Sequence, residues 1–208
     1  DEAGATIDYD PITSKTEAIE YQTLNIERMT PFIEEAAEQD VDILVLSEFA
    51  LQGLVPNRDE MYLYLEVVPD PEDDCDEDEE KCRPCDNDDF YDRPTLQKLS
   101  CLAKENEINL VVNYGDVVYC DSDDDEDCPD DGRYQYNTEI VFDFSGLIVA
   151  KYWKIHTYNE PEYDTPDPEE PTTFTVALPS DPNTEVTFGI IICYDSMYAT
   201  PLLPLVMK

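Results

Sequence analysis

Basic side chains are scarce in this chain: 12 Lys and Arg stand against 51 Asp and Glu, a net charge of −39 over 208 residues. A surface of that sign repels nucleic-acid phosphates and anionic membrane faces, so neither is an expected partner. It suits an extracellular setting, where calcium or other cations relieve the self-repulsion. Long apolar runs are also missing; none reaches the length that spans a bilayer. No secretory leader is visible, and the chain opens on Asp1-Glu2, as a processed secreted protein could. Histidine is limited to His156. That weakens a zinc reading of Cys82-Arg-Pro-Cys85, since a zinc site needs a second ligand pair at motif spacing. No internal repeat is present.

What is there suffices for one large domain, or most of one, with a real core. Seven cysteines sit at 75, 82, 85, 101, 120, 128 and 193. Six lie in or beside acidic, turn-rich segments. Six paired and one free is the simple arithmetic for an oxidising compartment. The acid is concentrated in three stretches, about 70–88, 121–131 and 160–170, expected to be surface loops.

Between those loops the pattern is mixed. Ala5 to Tyr9 alternates like a short edge strand. Thr16 to Gln39 reads as a helix, with Ile19, Ile26 and Ile33 at a seven-residue repeat, Ser14 or Thr16 as cap, and Pro31 as an expected kink or break. Val41 to Leu46 is a continuous apolar run, the mark of a strand covered on both faces. Pro94 to Glu105 is helical, with Leu96, Leu99 and Leu102 on one face. Ile108 to Tyr119 reads as a strand region broken at Gly115. Gln135 to Phe144 and Leu147 to Trp153 form a hairpin around Ser145-Gly146. Thr172 to Leu178 and Val186 to Ile192 are the last two strands. Strands and helices in this order describe a layered α/β chain.

Three polar residues fall at expected strand ends: Glu48, Lys154 and Cys193. A cysteine there, with a helix starting behind it, reads as a positioned nucleophile, because helix N-terminal N–H groups favour thiolate and oxyanion. The plainer reading is a small buried hydrophobe. For Glu48 the plainer reading is a solvated loop acid. As a set the three make chemical sense. A carboxylate takes the thiol proton and later activates water, and an ammonium stabilises the negative oxygen of a tetrahedral intermediate.

Several runs resemble the nitrilase (carbon–nitrogen hydrolase) superfamily, within it the vanin/biotinidase branch of secreted amidases. They are Val41-Asp-Ile-Leu-Val-Leu-Ser-Glu48, Pro69-Asp-Pro71, Leu99-Ser-Cys-Leu-Ala-Lys104, Val112-Asn-Tyr-Gly-Asp116, Asp131-Gly-Arg-Tyr-Gln-Tyr-Asn-Thr-Glu139, Val141-Phe-Asp143, Ala150-Lys-Tyr-Trp-Lys154 and Phe188-Gly-Ile-Ile-Ile-Cys-Tyr-Asp195. The resemblance implies an α-β-β-α sandwich, incomplete at the C-terminus in this chain, so that residues 1–208 are the N-terminal part of such a domain with acidic loop insertions. It implies Glu48 as general base, Lys154 as oxyanion stabiliser, Cys193 as nucleophile, Glu160 as a supporting second glutamate, and Tyr194 as a backbone N–H donor beside Lys154. No cofactor is implied, and His156 inherits no role. The implied activity is hydrolysis of a small linear amide, pantetheine-like or biotinyl, through a cysteine thioester.

Departures from the pattern are Ser47 before the glutamate, the acidic run from Asp73 to Glu80, and an end at Lys208. Alone, the chain is expected to leave a sheet edge and the apolar tail Leu202 to Met207 uncovered, to be met by the remaining C-terminal part of the same protein or by a second chain. A non-hydrolytic structural, calcium-binding or chromophore-binding role is the alternative. Asp121, Asp123 and Asp125 resemble a calcium loop but lack the glycine and glutamate that an EF-hand needs at its sixth and twelfth positions. The expected disulfides are Cys75–Cys82 and Cys120–Cys128, closing short acidic loops, and Cys85–Cys101, tying a loop to the following helix.

Overall fold

The structure is a computed structural model that describes residues 11–55, 57–75, 79–167 and 170–207. The expected strand from Ala5 to Tyr9 and part of the first acidic stretch lie outside the described residues.

Helix α1, Lys15–Glu38, starts where Ser14 accepts the Glu17 N–H and so satisfies one orphan donor. Its buried positions Ala18, Gln22, Ile26 and Ile33 recur at helical spacing. Pro31 does not break it. The Thr30 hydroxyl donates to the Ile26 carbonyl one turn back, and Ile26 and Ile33, on either side of the proline, are anchored in one core cluster. Tertiary packing here overrides the local cost of the proline.

Strand β1, Ile43–Val45, pairs in parallel with β2, Asn109–Tyr119. β2 continues antiparallel to β3, Arg133–Phe142, which pairs with β4, Ile148–Trp153, giving the order β1-β2-β3-β4. The apolar run at β1 finds core on both sides, Leu44 towards the helices and Ile43 towards the second sheet. Yet among the described residues β1 pairs only with β2, at the edge of the sheet, and Val45 is 64% exposed, so the strand is not fully covered. Gly115 does not interrupt β2. It is the point where Leu65 packs against the strand, and a Cβ there would overlap Leu65 Cδ2. Gly146, at φ 82°, turns the β3–β4 hairpin, and a Cβ would meet the Ser100 carbonyl oxygen at 2.6 Å.

Helix α3, Pro94–Glu105, lies with α1 on one face of this sheet. Alternate residues of β2 and β3, Leu110, Val112, Tyr114, Ile140 and Phe142, pack with Ile26, Ile33, Leu96, Leu99 and Ala103. Each such fully buried aliphatic contributes about 1.5–3 kcal/mol. α3 has no local side-chain cap. The buried Glu66 replaces it, its two carboxylate oxygens accepting the N–H groups of Thr95 and Leu96 at 3.1 Å.

On the opposite face Val111, Val141, Ala150 and Tyr152 pack against a second sheet made of β5, Thr173–Leu178, and β6, Asp181–Gly189. Leu205 of helix α4, Ala199–Val206, reaches Gly189 on that hairpin. Helices, sheet, sheet and helix thus make an α-β-β-α sandwich. β6 begins and ends earlier than Val186 to Ile192, so Ile190 to Ile192 is not strand. A short helix, Arg58–Tyr62 (α2), belongs to a third apolar cluster with Ala18, Val117 and Tyr163. Disulfides join Cys75 to Cys82, Cys85 to Cys101 and Cys120 to Cys128, and Cys193 is free.

Candidate active site

Four side chains singled out in the sequence meet at one end of the sandwich. Glu48 lies just beyond β1, Lys154 directly after β4, Glu160 in the following loop, and Cys193 beyond β6. Lys154, its side chain 0% exposed, donates to Glu48 Oε1 and to Glu160 Oε1, both at 2.6 Å. Burial alone would lower its basicity, but the hydrogen bonds and charges of Glu160 and Glu48 together outweigh it and hold the ammonium above its usual range.

Cys193 is exposed and opens a short 3-10 turn, Cys193–Met197, with α4 following. It does not sit at the strand's end but at φ 43°, a left-handed conformation that costs a non-glycine residue energy. Two further left-handed residues, Phe49 and Asn159, directly adjoin Glu48 and Glu160. The Cys193 thiol is pushed up by desolvation first, then by the charge and hydrogen bond of Glu48, while Lys154 opposes the shift. The resting sulfur is therefore a thiol beside its acceptor rather than a free thiolate.

Three residues that composition and spacing did not mark hold this arrangement. Asn137 Nδ2 donates to Glu48 Oε1 at 2.9 Å and to Glu160 Oε2 at 3.1 Å, and its carbonyl accepts the Lys154 N–H at 2.8 Å. Asn113 Nδ2 donates to Asn137 Oδ1 at 2.7 Å, while Asn113 Oδ1 accepts the Phe49 N–H at 2.9 Å and so supports the strained turn. Asp195, 0% exposed, accepts the Tyr152 hydroxyl, the Ile192 N–H and the His156 N–H, which fixes the turn that presents Cys193. Glu139 lies buried beside Asn113. A signal existed: Asn113 follows Val111 and Val112 and precedes Tyr114, Asn137 stands between Tyr136 and Thr138, and amides buried in strands need partners.

His156 is more than a polar loop residue. Its Nε2 donates to the Thr200 carbonyl at 2.8 Å and its ring stacks on Tyr198 at 3.8 Å, tying the loop after β4 to α4. The Tyr194 ring, next to Cys193 in sequence, lies 5.0 Å from Tyr158 and 5.2 Å from Tyr198.

The acidic loop around 121–131 is used differently. Asp121 Oδ1 accepts the Asp123 N–H, and Asp125 accepts the Asp127 N–H and the Tyr134 hydroxyl. Arg58 binds Asp131 and Asp164, and Arg133 binds Asp59 and Asp131, which ties two acidic loops to the sheet. Among the described residues no group of three or more His, Cys, Asp or Glu side chains could hold a metal ion.

The carbon-nitrogen hydrolase family model matches residues 16–208. A pantetheinase from Homo sapiens is 39% identical over 195 residues, covering 93% of this chain and 35% of the relative. A biotinidase from Takifugu rubripes is 35% identical over 197 residues, covering 94% of this chain and 37% of the relative. The chain thus spans little more than a third of the length of these curated relatives. Among solved structures, Nit3 of Saccharomyces cerevisiae, a member of the nitrilase superfamily, superposes with a TM-score of 0.56 at 24% identity, covering 86% of this chain and 52% of that one. An amidase from Nesterenkonia sp. superposes at 0.53 with 16% identity, over 85% and 52% respectively.

Proposed function

The chain belongs to the carbon–nitrogen hydrolase family, and on that premise we propose that it acts as an amidase on a small linear amide, with Cys193 as nucleophile, Glu48 as general base and Lys154 as oxyanion stabiliser. The observation that carries this reading is the double ion pair of Lys154 with Glu48 and Glu160 next to the one free cysteine among the described residues.

The chemistry follows from the charges. Glu48 takes the proton of the Cys193 thiol, and the sulfur attacks the amide carbonyl carbon. The oxygen that becomes negative is stabilised by the Lys154 ammonium and the Tyr194 backbone N–H. When the carbon–nitrogen bond breaks, Glu48 returns its proton to the departing amine. A thioester on Cys193 remains. Water then gives a proton to Glu48 and attacks the thioester carbonyl, the carbon–sulfur bond breaks, and the proton returns to sulfur. Every step balances without a cofactor. Glu160 keeps Lys154 charged and in place through both halves.

Pantetheine-like and biotinyl amides are the substrates to test, because relatives bear the names pantetheinase and biotinidase. Three disulfides and one free thiol fit a secreted protein in an oxidising compartment. Incubated with pantetheine, the protein should release cysteamine and carry a transient acyl adduct on the Cys193 peptide. Cys193→Ala should lower turnover by about 10⁴-fold or more. Absence of product and adduct with both pantetheine and a biotinyl amide overturns the reading.

A further inference from the structure

Glu139 lies on β3 two residues beyond Asn137, so both side chains share the face of the sheet that carries the site. The register places Asn113 of β2 opposite it on one side and Tyr152 of β4 on the other. It is 7% exposed. A carboxylate is stable at such depth only where donors replace water.

Two other buried acids, Glu66 and Asp116, have those donors. Glu66 accepts two backbone N–H groups, and Asp116 accepts the Val68 N–H and the Trp153 indole with Lys151 nearby. For Glu139 the described residues supply one long contact, from Asn113 Nδ2 at 3.5 Å. The surrounding charged and titratable groups do not help it ionise. Glu48, from the turn after β1, adds a like charge. Lys154, from the end of β4, is bonded to Glu48 and Glu160. The Tyr152 hydroxyl donates to Asp195. Cys193, from the turn after β6, lies beside Glu48.

Resting on the amidase reading, we propose that Glu139 is a positioning residue: a neutral carboxylic acid beneath the triad that leaves the Asn113–Asn137 amide pair free to aim at Glu48, and whose ionisation disarms the base. Asn113 Nδ2 has two hydrogens and three neighbouring acceptors, Asn137 Oδ1 at 2.7 Å, the Thr138 carbonyl at 3.2 Å and Glu139 Oε2 at 3.5 Å. A neutral Glu139 is the weakest of them, so the amide hydrogens go to Asn137, which in turn holds Glu48 and Glu160. An ionised Glu139 is the strongest acceptor, draws Asn113 away, and sets a second negative charge near Glu48. Burial pushes the Glu139 carboxyl up to about 8, the Asn113 bond opposes this and the Glu48 charge adds to it. The proton is thus held through neutral pH and lost to solvent on the mildly alkaline side.

The test compares wild type with Glu139→Gln, which keeps the neutral shape and cannot ionise, between about pH 6 and 10. Wild-type kcat/KM for pantetheine should fall several-fold through a step near pH 8. In Glu139→Gln that step should vanish, with activity at neutral pH within about threefold of wild type. Alkylation of Cys193 by iodoacetamide reads the same linkage without substrate. Wild type should show an inflection near pH 8 that the variant lacks. Infrared spectra of the wild type should lose a protonated-carboxyl band over the same range, which covers the case of a variant that folds poorly. If no amide is hydrolysed but the alkylation inflection disappears with Glu139→Gln, the amidase reading fails and the Glu139 assignment stands. A pH step unchanged in Glu139→Gln, or a uniform loss at every pH, overturns the assignment.

Discussion

Two lysines three positions apart leave β4 on opposite faces, and both are buried against two acids. Lys151, its side chain 8% exposed, lies 3.6 Å from Asp70 and 3.6 Å from Asp116, and donates to the Val68 carbonyl. Lys154, at 0%, lies 2.6 Å from Glu48 and from Glu160. A cleft of 560 Å³ runs beside Lys151, lined also by Trp153, Asp70 and Thr173. Burial, charge pairing and a cavity would all nominate Lys151. What separates the two is the company of the acids. Asp116 is committed to the Val68 N–H and the Trp153 indole, donors that hold it in a structural role. Glu48 keeps a contact with the free thiol of Cys193. A buried ion pair marks architecture unless a reactive group shares it.

The sharpest break of this comparison is to remove each ammonium. Lys154→Met should lower kcat by about 10²–10³-fold, because it removes the charge at the oxyanion and leaves two carboxylates facing each other. Lys151→Met should leave kcat within a few-fold and show itself in the melting temperature. Equal losses of activity in the two variants would refute the distinction.

A second pair tests the acids that organise each side. Asp116→Asn and Asp195→Asn both remove a fully buried carboxylate that collects donors. Each should cost about 1–3 kcal/mol in denaturant unfolding. Only Asp195→Asn should also lower kcat, by roughly tenfold, since Asp195 shapes the turn at Cys193.

The smallest expected effect lies far from both lysines. Ser14→Ala should cost α1 about 1 kcal/mol with no change in kcat, the ordinary value of a local cap. Glu66→Gln should cost at least as much, because one oxygen of a two-oxygen cap becomes an amide donor facing a backbone N–H.

Much of the site was legible because strand ends and chemistry coincide in sequence. Val41 to Leu46, Ala150 to Lys154 and the run into Cys193 each present an apolar segment followed by a reactive side chain, and those three side chains meet. The local readings that failed did so where context overrules propensity. Pro31 stays within α1 because the isoleucines on both sides are anchored. Gly115 stays within β2 because Leu65 needs the space a side chain would take. Cys193 departs from its strand because Asp195 bends the chain back on the Ile192 N–H.

The acidic stretch 160–170, expected as a surface loop, buries Glu160 and Glu162. Composition and periodicity alone determined that this is a layered α/β chain, that one cysteine stands apart from six, and which helix and strand faces are apolar. Those properties depend on near neighbours in sequence and on the sign of charge. Only the tertiary structure decided that Asn113 and Asn137 hold Glu48, that Asp195 shapes the cysteine turn, and that Glu139 sits without adequate donors. Each of those facts joins residues from different strands and loops, and the free energy of a buried polar group is set by the partners the fold brings to it.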